Sequence, residues 1–144
     1  MPAELNAFKS LLLAWLTDME GMAALVGRRV YCGRPMQPPG FPMITFHLQR
    51  RPLTDYPQAA WQGTAALVLH ATDADRLDAI EAAVTDALAG GAPEPALSDA
   101  SVICACFALQ QVDEDEFEPS AERGSLGVLR RRMAFHFIMA ARGD

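Results

Sequence analysis

A chain of 144 residues with 12 Lys and Arg against 18 Asp and Glu carries a formal net charge of −6, and 51% of its residues are hydrophobic. That balance excludes wholesale disorder and suits one domain over residues 1–144 with enough mass for a real core. No apolar run approaches a membrane span, acidic Glu4 stands where a secretory signal carries its basic region, and so acidic a chain is a poor general binder of nucleic acid.

Leu5, Phe8, Leu12, Trp15 and Leu16 recur at three- and four-residue spacing, which predicts a helix from Ala3 to Leu16. Thr17-Asp18-Met19-Glu20 matches a capping box for a second short helix, ending near Val26 at Gly27. Arg28 to Cys32 reads as a short strand. Prolines 35, 38, 39 and 42 then exclude helix and central strand, so residues 33–42 form a loop.

From Met43 to Gln49 the apolar Ile44, Phe46 and Leu48 alternate with Thr45, His47 and Gln49, the pattern of a half-buried strand. A second proline-marked loop is expected over 50–60, then a strand from Trp61 to Ala71. Thr72 or Asp73 caps a helix with the stripe Leu77, Ile80, Val84 and Leu88, stopped by Gly90-Gly91. Its Asp78, Glu81 and Asp86 lie off that stripe and read as a solvent face. Val102 to Gln111 is a strand, Val112 to Ser125 a third long loop or hairpin tip, and Leu126 to Ala141 the last strand. In it Met133, Phe135, Phe137 and Met139 face one way, while Arg130, Arg132, Ala134 and His136 face the other. The fold class is α+β: an antiparallel-rich sheet of about five strands with two amphipathic helices packed on one face.

Chemistry is thinly written in this chain. It has no G-x-G-x-x-G, G-x-x-x-x-G-K-[ST] or G-x-S-x-G. His47, His70 and His136 lack ligand spacing. Cys104 and Cys106 would share a face if the strand is regular, and they read as small core residues rather than half of a zinc site. The acidic run 113–118 has contiguous acids and no glycine among them, unlike a calcium loop. No catalytic residue, cofactor or metal site is expected.

Charge is distributed unevenly. Residues 1–72 hold 6 basic and 4 acidic groups (+2), residues 73–144 hold 6 basic and 14 acidic groups (−8). Asp113, Glu114, Asp115 and Glu116 on one side, and Arg28, Arg29, Arg50, Arg51, Arg130 and Arg132 on the other, are the candidate subunit or partner interface. A head-to-tail ring needs two different, complementary surfaces on each copy, and opposite charge sets register and partner choice. The three long loops are expected to be contact segments.

The order of elements carries a resemblance. Leu25-Val26-Gly27-Arg28-Arg29-Val30-Tyr31 follows the N-terminal helix, then come a proline-rich loop and Phe41-Pro42-Met43-Ile44-Thr45-Phe46. A strand ends at His70-Ala71, an acidic-capped helix at Ala87-Leu88, and a strand with an acidic tip precedes the phenylalanine-rich last strand. Over nearly its whole length the chain resembles the small tail-completion or tail-terminator proteins of long-tailed phages, prophages and gene-transfer particles. The resemblance implies a virion protein assembled in the bacterial cytoplasm, and neither an enzyme nor a cofactor protein. It implies a homo-oligomeric ring, usually a hexamer, that caps the tail tube, stops its polymerisation and meets the head connector. DNA would pass through the lumen without sequence-specific binding, and no membrane is involved. The alternatives are a head–tail connector subunit or a small ligand- or metal-binding α+β domain, which would be a monomer or dimer holding stoichiometric metal.

Overall fold

The stripe of Leu5, Phe8, Leu12 and Leu16 forms the buried side of α1, Ala3–Asp18, in the computed structural model, which describes residues 3–33, 35, 40–53, 59–118 and 127–142. The predicted capping box does not form. Thr17 Oγ1 instead donates back to Leu13 O at 2.9 Å and Ala14 O at 3.2 Å, so it belongs to the last turn of α1. The next helix, α2 (Met22–Val26), starts after Gly21 without a side-chain cap. It stops at Gly27, whose φ of 61° a non-glycine residue rarely adopts.

Six strands follow or interleave with the helices: β1 Val30–Cys32, β2 Met43–Pro52, β3 Ala60–Ala71, β4 Val102–Val112, β5 Glu116–Glu118 and β6 Val128–Ala141, with α3 (Ala74–Gly90) between β3 and β4. They make one sheet in the order β1-β2-β3-β6-β4, with β5 also paired to β6. Only β1 and β2 run parallel; the other pairings are antiparallel. The fold is thus the expected α+β class, with one more strand than the sequence pattern suggested. The acidic stretch supplies it, since Glu116, Phe117 and Glu118 pair with Arg130, Leu129 and Val128. Residues 50–52, expected in a loop, continue β2 opposite Trp61, Gln62 and Gly63. Pro52 is tolerated there because it sits at the end of a strand on the sheet's border. The expected loop tips at 54–58, at 36–39 and at 119–126 lie outside the described residues.

One face of the sheet is covered. Ile44 and Phe46 from β2, Ala65, Leu67, Leu69 and Ala71 from β3, and Met133, Phe135, Phe137 and Met139 from β6 are buried against α1 and α3. Phe8 of α1 stacks on Phe137 with ring centroids 5.2 Å apart, and Phe107 stacks on Phe135 at 4.8 Å. Trp15, half-buried, meets the edge of Phe107 at 5.7 Å. In α3, Leu77, Ile80 and Val84 are buried, and Asp73 caps the helix by accepting from Arg76 N at 2.9 Å. The opposite face carries Thr45, His47, Gln49, Thr64, Ala66, Val68, Ala108, Ala134 and His136, with no helix on it among the described residues.

The two borders of the sheet differ. On one, β1 covers only Ile44 to Phe46, and among the described residues no strand lies beyond the backbone of His47–Pro52. On the other, the connection 93–101 folds back along β4. Asp99 Oδ1 accepts from Val102 N, Ser98 Oγ from Cys104 N and Glu94 Oε1 from Phe107 N, at 3.0, 2.8 and 3.2 Å. Side chains thereby take the place of a neighbouring strand over that half of β4.

Candidate subunit interface

The basic triplet 130–132 lies on β6, so its side chains alternate between faces. Arg130 and Arg132 share the open face, as their parity predicts. The acidic segment that leaves β4 turns back over them. Asp113 N donates to Arg132 O at 2.9 Å, Asp113 Oδ2 lies 3.5 Å from Arg132 Nη1, and Glu116 Oε2 lies 3.7 Å from Arg130 Nη2.

Arg131 has the parity of Met133 and Phe135 and therefore points to the helix-bearing face. Its side chain is only 12% exposed. Asp115 receives two of its donors, Nε to Oδ1 at 2.6 Å and Nη2 to Oδ2 at 2.9 Å, a bidentate pair. Nη1 reaches α3, bonding Asp78 Oδ1 at 2.7 Å and Glu81 Oε1 at 3.1 Å. The hydrogen bond from Arg131 holds the Asp115 carboxyl below its ordinary range, and Asp115 first, then Asp78, push the guanidinium further toward its charged form. Asp78 and Glu81 are therefore not a plain solvent face, as their position off the apolar stripe suggested.

The expected interface groups thus divide. Asp113, Asp115 and Glu116 meet Arg132, Arg131 and Arg130 within the chain, whereas Arg28, Arg29, Arg50 and Arg51 lie elsewhere. Arg50 and Arg51 stand exposed on β2, where the Gln62 amide oxygen, suitably oriented, accepts from Arg51 Nε and Nη2 at 3.1 Å each. Arg28 is exposed, and Arg29 Nε donates to Pro42 O at 2.7 Å. Glu114 points to solvent. In the sequence Arg131 reads only as the middle of a basic triplet; its tie to α3 was missed, although a charge at an apolar-parity position of β6 is a readable signal.

Beside Arg29 and Pro42 lies an open groove of about 260 Å³, lined by Ala24 and Leu25 of α2, by Phe41 and Pro42, and by Arg76 and Ile80 of α3. A second hollow of about 190 Å³ on the open face is lined by Val68 and by the mutually paired Asp113, Glu116, Arg130 and Arg132, with Glu114. Phe117 on β5 is 63% exposed, an unusual position for a large apolar side chain.

The cysteines do not share a face. A bulge at Ala105 sets Cys104 opposite Met139 and Cys106 opposite Ile138, so Cys104 enters the core while Cys106 joins the open face. Burial pushes the Cys104 thiol up to about 12. His70 shares a hydrogen bond with Thr45 Oγ1 at 2.9 Å, and His47 and His136 stand apart from it along the same face. Among the described residues no group of three His, Cys, Asp or Glu side chains is placed to hold a metal ion.

Among the described residues the sheet is thus backed by helices on one face and bears none on the other, and Phe117 stands outward at its border. The chain belongs to the tail completion protein gp17 family, whose model matches residues 10–130. It is accordingly a structural protein of tail completion and not an enzyme. Its fold is similar to that of a chain in the virion of the native gene transfer agent particle, with a TM-score of 0.57 at 17% identity over 99% of this chain and 100% of that one. No curated protein matches the sequence.

Proposed function

We propose that this tail-completion protein is a tail terminator: a virion subunit that closes into a homo-oligomeric ring, a hexamer by resemblance, on the end of the tail tube. The ring halts addition of tube protein and offers its other side to the head connector, with DNA passing through its lumen. The family match over residues 10–130 carries this proposal. The unlike borders of the sheet support it, because head-to-tail rings need two different surfaces on one copy. The net charge of −6 suits a channel that phosphate must traverse without sticking. With Asp113, Asp115 and Glu116 engaged within the chain, the charges offered to a neighbour are Glu114, Arg28, Arg50 and Arg51.

The test is light scattering of the purified protein across a wide concentration range, with electron microscopy of the assembled species, and then its addition to polymerising tail-tube protein. Rings, together with tubes of reduced length, are the expected result. A monomer at every concentration that leaves tube length unchanged would overturn it.

A further inference from the structure

Asp113 to Phe117 runs from the end of β4 into β5 along the border of β6 and adds no side chain to the core. Its acids meet the basic triplet in order: Asp113 at Arg132, Asp115 at Arg131, Glu116 at Arg130. We infer that this segment is a strap latched by charge, which opens as one unit while the sheet and helices beneath it stay folded. The inference does not depend on the ring proposed above.

A segment opens alone when little apolar surface and few backbone bonds hold it. Glu114 and Phe117 are exposed, and so is most of the Glu116 side chain. Among the described residues the backbone ties of the strap are one bond, from Asp113 N to Arg132 O, and the three-residue pairing of β5 with Val128 to Arg130. Its root is already irregular, since the ladder of β4 on β6 slips between Leu109 and Gln111 and the Gln111 side chain turns to Asp113.

Lifting the strap leaves its floor in place. On their other side Leu129 to Arg132 stay paired with Ala71 to Val68 of β3. Arg131 stays anchored to α3 through Asp78 and Glu81. One guanidinium thus serves two parts of the molecule, with Nη1 on the helix and Nε and Nη2 on the strap.

The three pairs are unequal. Asp113 and Glu116 meet their arginines at 3.5 and 3.7 Å with every side chain at least a third exposed, and such pairs contribute little. Asp115 grips a largely buried guanidinium through two short, parallel bonds. Asp115 is therefore the pin of the latch, and the outer pairs align the strap on either side of it. Once the strap lifts, Arg130 loses Glu116, Arg132 loses Asp113, and the outer backbone of β6 from Val128 to Arg132 is bared. The subunit uncovers cations at one border without disturbing its core.

Native-state hydrogen exchange of the full chain, followed by NMR through a series of dilute urea concentrations, tests this. The amides of Asp113 and β5 are expected to share one opening equilibrium, at least a hundredfold more populated than that of Leu67, Leu69, Phe135 and Phe137. That equilibrium should be nearly independent of urea, because opening exposes little surface. Asp115→Asn should raise exchange at Asp113 and β5 together by at least tenfold, with the central sheet amides still the slowest in the protein. Glu114→Gln, which changes a solvent-facing acid, should alter it less than twofold. Strap amides that follow the steep urea dependence of the core would overturn the inference from the parent chain alone, even if a variant failed to fold. Exchange at Asp113 and β5 that moves independently would also overturn it, as would a response to Asp115→Asn no larger than that to Glu114→Gln.

Discussion

Arg131 Nη1 and Asp78 Oδ1 lie 2.7 Å apart although 53 residues separate them in sequence. Through that contact the last strand is fastened to α3, and through Asp115 on the same guanidinium the acidic segment is fastened to both.

Replacing Arg131 with Ala removes the shared partner of three carboxylates. Because Asp78 and Glu81 can rehydrate, the loss should stay nearer that of one charged hydrogen bond, about 1.5–3 kcal/mol, than that of a buried ion pair. Urea denaturation monitored by circular dichroism measures it. Arg131→Lys, which cannot reproduce the bidentate fork to Asp115, should recover only part.

The same cluster makes stability depend on acid. Asp115 is held below its ordinary value of 3.8 in the folded chain by the Arg131 hydrogen bond. Its contribution is present in full above that value and disappears as pH falls through the folded value. Asp115→Asn should therefore destabilise the protein at neutral pH and flatten the acid limb of its pH–stability curve. A parallel acid limb in wild type and variant would count against the link.

Gly63 of β3 lies opposite Arg50 of β2. A Cβ there would lie 1.8 Å from Gln49 O and 2.8 Å from Arg50 Cα, both backbone atoms that cannot move aside alone. Gly63→Ala should cost more than about 2 kcal/mol, among the larger effects of single substitutions. A loss of hydrogen-exchange protection centred on Gln49–Arg51 would locate the damage.

Cys104 should resist alkylation in the native protein, because its thiol is buried and its ionisation is pushed up to about 12. Cys32, which is exposed, should react first. Mass spectrometry of iodoacetamide-treated protein before and after denaturation gives the order directly.

Ser98→Ala and Glu94→Ala each remove an acceptor from the border of β4, at Cys104 N and Phe107 N. Each should lower stability by about 1 kcal/mol. The pair should also raise concentration-dependent light scattering, since the freed backbone donors can accept a foreign strand.

The sequence disclosed what periodicity governs. The stripes of α1 and α3 and the alternation along β6 fixed which side chains form the core, and Asp73 announced its helix. Parity failed where the ladder itself is irregular: the bulge at Ala105 separates Cys104 from Cys106, and no pattern in Ile103 to Phe107 betrays it. Thr17 looked like a cap because its spacing to Glu20 was right, but the helix ran on and its hydroxyl turned inward. The acidic run looked like a free surface because charge blocks usually are. Only the register of β5 on β6 shows that Asp113, Asp115 and Glu116 face arginines a hairpin away.

The borders of the sheet have a consequence for how errors are handled. Half of β4 is sealed by Asp99, Ser98 and Glu94, the rest is broken by a second bulge between Leu109 and Gln111, and the open stretch of β2 ends in Arg50, Arg51 and Pro52. None of these is a good template for a continuous backbone ladder, the kind of union that is slow to undo. In the ring proposed above, copies that met through side chains would part again quickly, so a subunit that docked askew would leave and be replaced before its neighbours locked it in.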